Sequence, residues 1–255
     1  MSPREDEVEG IPVLAAAPSG DPTGVALWLS HLGGSAEKTS PQLERLADAG
    51  MFAVSFDPPA HGRRGGGDPW GFARSVLDSF RTRMWPLLGS TTLEALRVVD
   101  WALQRSGADG PVVAGGVSMG GDVAVALAGI DPRVRRVCAL ASTPDWTRPH
   151  MRLLDDPTRL LDQGHADSYA QWFCDALNPR ANLDRYLRRD LAIAFHNGSA
   201  DRHVPADDAM AFRAALAARE PDSAERITVT VHDGAGHLDV DERFYEPALT
   251  FLCAG

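Results

Sequence analysis

Three short stretches of this sequence hold residue types that can act together on an acyl carbon. The first is Pro111-Val112-Val113-Ala114-Gly115-Gly116-Val117-Ser118-Met119-Gly120-Gly121-Asp122, in which Gly116 to Gly120 fits G-x-S-x-G. A Val-rich apolar run ends in glycines and a serine, and Val123 to Ala128 continues as a helix. A serine at such a strand-to-helix turn adopts φ > 0, and small residues two before and two after it let strand and helix approach closely. Its hydroxyl then stands at the carboxyl end of a strand, beside a helix N-terminus whose free N–H groups favour developing negative charge. Taken alone, the pattern also fits a packing turn with an idle serine.

A serine hydroxyl is a poor nucleophile until a base removes its proton, and an imidazole held by a carboxylate is a suitable base. His237 lies in Asp233-Gly234-Ala235-Gly236-His237-Leu238, directly after the strand-like run Ile227 to Val231. Asp201 lies in Gly198-Ser199-Ala200-Asp201-Arg202-His203-Val204-Pro205, directly after Leu191 to Phe195. Singly, Asp201 also fits an N-cap or turn aspartate and His237 a structural loop histidine. Together, the order Ser118, Asp201, His237 is that of one triad type and of neither protease order.

These residues need elements to carry them. Ile11 to Ala17 and Val25 to Leu29 read as strands split by a Pro/Gly turn, and as an antiparallel pair; residues 1 to 7 read as a frayed lead-in. Pro41 to Ala49 has helical spacing, Phe52 to Phe56 is a strand, and Thr91 to Gln104 is a helix. Val134 to Ala141 is a further strand, Ala206 to Arg219 a helix and Glu242 to Leu252 a closing helix. Strands alternating with helices give an α/β fold: a parallel sheet with helices on both faces, and ligands outside the strands' carboxyl ends. Residues 63 to 90 have no clear place. Residues 142 to 190 break the alternation and are expected to form a small helical cap over the sheet edge, within a single domain spanning 1–255.

Bulk properties narrow the field. A formal net charge of -10 argues against a nucleic acid or an anionic membrane as partner. Cys138, Cys174 and Cys253 are far apart and show no zinc spacing, so they read as buried, reduced thiols. The N-terminus lacks the pattern of a signal peptide and no apolar run reaches the length of a membrane span, so a cytoplasmic protein is expected. No His/carboxylate pair has the spacing of H-E-x-x-H, and neither a metal nor another cofactor is expected.

The motifs around Ser118, Asp201 and His237 together resemble those of the α/β-hydrolase superfamily, over about residues 11 to 252. The compact form is similar to esterases near the dienelactone-hydrolase-like and prolyl-oligopeptidase-like branches, although the dienelactone hydrolases usually carry Cys where Ser118 stands. The resemblance implies a mostly parallel, eight-stranded-type sheet, a serine nucleophile and an acyl-enzyme. It also implies an oxyanion hole with one donor from the Met119 N–H and one from the loop after Val25 to Leu29. That loop usually reads His-Gly-x-Gly; here it is Ser30-His31-Leu32-Gly33-Gly34. Alignment without gaps makes Leu32 the donor and alignment on the histidine makes it Gly33; Leu32 is favoured. Asp57-Pro58-Pro59-Ala60-His61-Gly62 resembles a rim-shaping loop of the family, and His31 and His203 read likewise as loop-shaping.

Trp146 and Trp172, with Gly33, are candidates for contact with substrate. Packing of the insertion onto the sheet explains the tryptophans equally well. The expected activity is hydrolysis of a small-molecule carboxylic ester through Ser118. The same triad also serves amide, thioester or C–C cleavage and acyl transfer, and the remote competitor is a binding protein on this fold. The sequence leaves the oligomeric state open.

Overall fold

The computed structural model describes residues 2–254. Eight strands form one sheet: β1 (Arg4–Val8), β2 (Ile11–Ala16), β3 (Val25–Leu29), β4 (Phe52–Phe56), β5 (Val112–Val117), β6 (Val134–Leu140), β7 (Ala192–Gly198) and β8 (Ile227–His232). Their spatial order is β1-β2-β4-β3-β5-β6-β7-β8. The six strands from β4 to β8 in that order are parallel; β2 runs antiparallel to β1 and to β4. Every residue of β3 and β4 is buried, as expected of strands covered on both faces. At the edge, β8 is more open, with Ile227 buried and Thr228, Thr230 and Val231 exposed.

The helices are α1 (Ser40–Asp48), α2 (Pro69–Leu77), α3 (Phe80–Ser106), α4 (Met119–Ile130), α5 (Ser168–Leu177), α6 (Asp207–Arg219), the single turn α7 (Ser223–Arg226) and α8 (Glu242–Cys253). One face of the sheet packs against α3, α4 and α6 through residues such as Val98, Val99, Val123, Leu127 and Phe212. The other packs against α1 and α8 through Leu43, Leu46, Phe244, Ala248 and Leu249. Among the described residues, no helix is long and apolar enough to cross a membrane.

Several expectations need correction. Residues 4 to 8 are not a frayed lead-in: Arg4–Val8 forms the edge strand β1, joined to β2 by a turn with Glu9 and Gly10 at positive φ. The charged run Arg4-Glu5-Asp6-Glu7 suits an edge, where it discourages pairing with another chain. β2 and β3 do not pair; β2 lies between β1 and β4, while β3 lies between β4 and β5. The helix expected at Thr91 to Gln104 begins at Phe80 and runs for 27 residues with Pro86 inside it. The aromatic residues Phe80 and Trp85 are buried by that extension. His196 lies within β7 and is 6% exposed. Cys138 and Cys174 are buried, whereas Cys253 is partly exposed.

Residues 142–190 contain α5, two short 3-10 turns (Pro179–Ala181 and Leu183–Tyr186) and an isolated bridge between Arg152 and Leu160. The α5 helix lies along α3, where the Phe173 ring fills the space that a Cβ at Gly89 would occupy.

Candidate active site

The turn between β5 and α4 places Ser118 at φ 52° and ψ -118°, a backbone that few non-glycine residues adopt. It is held by a bond from the Ser118 N–H to the Leu140 carbonyl (2.8 Å) and by one from the Asp122 N–H to the Ser118 carbonyl (3.0 Å). The two motif glycines are required by crowding. A Cβ at Gly116 would sit 2.6 Å from the Leu29 carbonyl oxygen, and one at Gly120 would sit 2.6 Å from that of Ser30. The end of β3 therefore presses directly on the turn.

The loops after β7 and β8 meet beside Ser118. The Ser199 N–H donates to the His232 carbonyl and the Ala200 N–H to the Ala235 carbonyl, each at 2.9 Å. Asp201 is buried, and its Oδ1 accepts the backbone N–H groups of His203 (2.9 Å) and Val204 (2.8 Å). Its Oδ2 lies 2.8 Å from Nδ1 of His237, and Nε2 of His237 lies 3.1 Å from Ser118 Oγ. The carboxylate can only accept, so Nδ1 carries the proton and Nε2 offers its lone pair to the serine hydroxyl.

Met119 is the first residue of α4, so its N–H has no partner within the helix. The loop after β3 turns at Gly33, which has φ 75° and lies so close to the start of α2 that a Cβ would come within 2.9 Å of the Pro69 carbonyl oxygen. Leu32 is partly buried beside it, its carbonyl oxygen 2.9 Å from His31 Nδ1.

The two tryptophans part company. Trp146 is fully buried, and its carbonyl accepts the indole N–H of Trp85 (2.8 Å), so it presents no surface to a ligand. This corrects the expectation that it contacts substrate and favours packing of the insertion. Trp172 is 58% exposed on α5, with its ring edge-on to Phe173. His61 is buried, with Nδ1 2.9 Å from the Pro59 carbonyl oxygen and its ring edge-on to Phe72; burial lowers its pKa.

The sequence reading missed a buried ion pair behind the serine. Asp122, four residues after Ser118, bonds Arg148 from the loop after β6, and its Oδ1 accepts the Thr143 N–H at 2.8 Å. Burial pushes the Asp122 carboxyl up, opposed chiefly by the Arg148 guanidinium. Arg148 itself is 3% exposed, has φ 40° and stacks 5.4 Å from the Phe80 ring centroid. The one available signal was an aspartate at the start of an otherwise apolar, Ala-rich helix. Among the described residues, no group of three or more His, Cys, Asp or Glu side chains has the arrangement of a metal site.

Residues 32–180 match the family model described as alpha/beta hydrolase fold, and with this sheet order the chain belongs to that family. A search of curated proteins found no match. Among solved structures, TT1662 from Thermus thermophilus is 26% identical, with a TM-score of 0.76 over 99% of this chain and 97% of that one. A putative dienelactone hydrolase from Klebsiella pneumoniae is similar at 16% identity, with a TM-score of 0.66 over 99% and 98% of the two chains. An acylaminoacyl peptidase from Pyrococcus horikoshii is 13% identical with a TM-score of 0.65, and this chain, matched over 98% of its length, spans 40% of that one.

Proposed function

We propose that the protein is a serine hydrolase that cleaves a carboxylic ester of a small molecule. One observation carries the reading: an unbroken line of hydrogen bonds from Ser118 Oγ through the His237 ring to buried Asp201, at 3.1 and 2.8 Å. The strained backbone of Ser118 supports it, because such strain persists where the surroundings over-determine it, and functional sites are where it collects.

In this reading Ser118 Oγ attacks the ester carbonyl while His237 Nε2 takes its proton. Asp201 holds the imidazole in one tautomer and stabilises the imidazolium that forms. The backbone N–H groups of Met119 and Leu32 receive the oxyanion. The imidazolium then protonates the leaving alcohol, and water, activated by the same ring, releases the acid and frees Ser118. Gly33 and Trp172 lie toward the substrate, and residues 142–190 act as a small cap on the single domain 1–255.

Ser118→Ala is expected to abolish release of p-nitrophenol from short-chain p-nitrophenyl esters while leaving the thermal melt unchanged. Undiminished release by that variant would overturn the reading. Adding an alcohol or amine acceptor and identifying the products separates hydrolysis from acyl transfer; the free acid is the expected product.

A further inference from the structure

Residues 148–163 fold back on themselves outside the sheet. Arg152 and Leu160 form an antiparallel bridge, the Leu161 N–H donates to the Met151 carbonyl (2.8 Å), and Gln163 Nε2 donates to the Arg148 carbonyl (2.7 Å). The resulting strap is anchored at two points beside the triad. At its start, Arg148 is bonded to Asp122 on α4, the helix that begins at the Ser118 turn. At its middle, both backbone groups of Arg152 face the loop that carries Asp201. The Arg152 N–H donates to the Arg202 carbonyl at 3.1 Å, and the Arg152 carbonyl oxygen lies 2.7 Å from His203 Nδ1.

His203 is the junction. It is 6% exposed, its backbone N–H binds Asp201 Oδ1, and its ring centroid lies 4.8 Å from that of His237 at 60° between the planes. The titratable and charged groups around it are His237, Arg148 and Asp201, and burial, followed by His237, pushes its pKa down to about 3. The ring is therefore neutral at pH 7, and facing a carbonyl oxygen its Nδ1 carries the proton. It adds no charge beside His237 when that ring takes the serine's proton. The need for support is visible on the other side: His237 sits on a Gly-flanked loop between partly exposed Gly236 and exposed Leu238.

We infer that His203 is a positioning residue: its Nδ1–H fastens the 148–163 strap to the acid loop, and the fastened ring holds His237 in line between Asp201 and Ser118. The inference rests on the triad reading above, and a small misplacement of a catalytic group is enough to slow a reaction by orders of magnitude.

Three variants separate the bond from the ring. His203→Phe keeps a flat ring and loses the donor. His203→Asn keeps a donor near the Nδ1 position and loses the ring, and His203→Ala loses both. The first readout is the downfield proton resonance of the His237 Nδ1–H bonded to Asp201, which needs no turnover. The second is the split between kcat and KM for a p-nitrophenyl ester, with circular dichroism to show that each variant is folded. The phenylalanine and alanine variants are expected to lose or broaden the resonance and to lower kcat about tenfold or more, with KM changed less than about twofold. The asparagine variant, which restores the bond to the Arg152 carbonyl without the ring against His237, is expected to recover part of both. A sharp resonance and unchanged kcat in the phenylalanine and alanine variants would overturn the inference. A wild-type protein that shows the resonance but turns over no ester would overturn the hydrolase reading instead, and the resonance would still decide the role of His203.

Discussion

Ser118, Gly116 and Gly120 show how a residue pattern becomes geometry. The serine accepts a positive φ, and the glycines on either side leave room for the carbonyls at the end of β3. Gly120→Ala would force a Cβ to within 2.6 Å of the Ser30 carbonyl oxygen, so backbone rather than a flexible side chain must shift. That change is expected to cost about 1–3 kcal/mol, read from urea unfolding, and to cut ester turnover. Ser118, Asp201 and His237 were each legible because their neighbours are local: a glycine turn, or a loop at the end of a strand. His203 was legible only as a loop residue. Its partners, the Arg152 carbonyl and the His237 ring, lie 51 and 34 positions away in a chain whose spacing carries no sign of either contact.

At the scale of elements, the buried Asp122–Arg148 pair joins α4 to the strap after β6. Removing one charge of a buried pair leaves the other without compensation. Arg148→Met is therefore expected to destabilise the protein by about 3–5 kcal/mol, and the double change Asp122→Leu with Arg148→Met to recover most of that loss. Urea titrations of the wild type, the single and the double variant check both statements. The central strands were legible because runs such as Val25–Leu29 are apolar throughout and bounded by turns. The edge was not: Arg4–Val8 has no apolar signal because an outermost strand is largely solvated, and its pairing with β2 is a tertiary matter. Pro86 likewise hid the first part of α3, whose continuity comes from burying Phe80, Met84 and Trp85 against the core.

For the whole molecule, the buried histidines contribute to the response to acid. Burial lowers the pKa of His196 to about 4, with His232 adding to the effect at 3.1 Å, and that of His203 to about 3. In the unfolded chain both titrate near 6.5, so between pH 6.5 and 4 the unfolded state binds more protons. Their contribution to stability is present above pH 6.5 and is lost as the pH falls, by up to about 1.4 kcal/mol per pH unit for each ring. Asp208 acts in the opposite sense: burial raises its pKa to about 6, so its contribution is present at low pH and is lost as the pH rises through 6. Urea midpoints from pH 7 down to pH 4 are expected to fall, less steeply in His196→Asn and more steeply in Asp208→Asn.

The relay through Ser118 is tested most directly by the intact mass of the protein after exposure to a fluorophosphonate, with Ser118→Ala in parallel. One covalent adduct on the wild type, mapped to Ser118 and absent from the variant, is the expected result. An unlabelled wild-type protein, or equal labelling of the two, would contradict the assignment of Ser118 as the activated nucleophile.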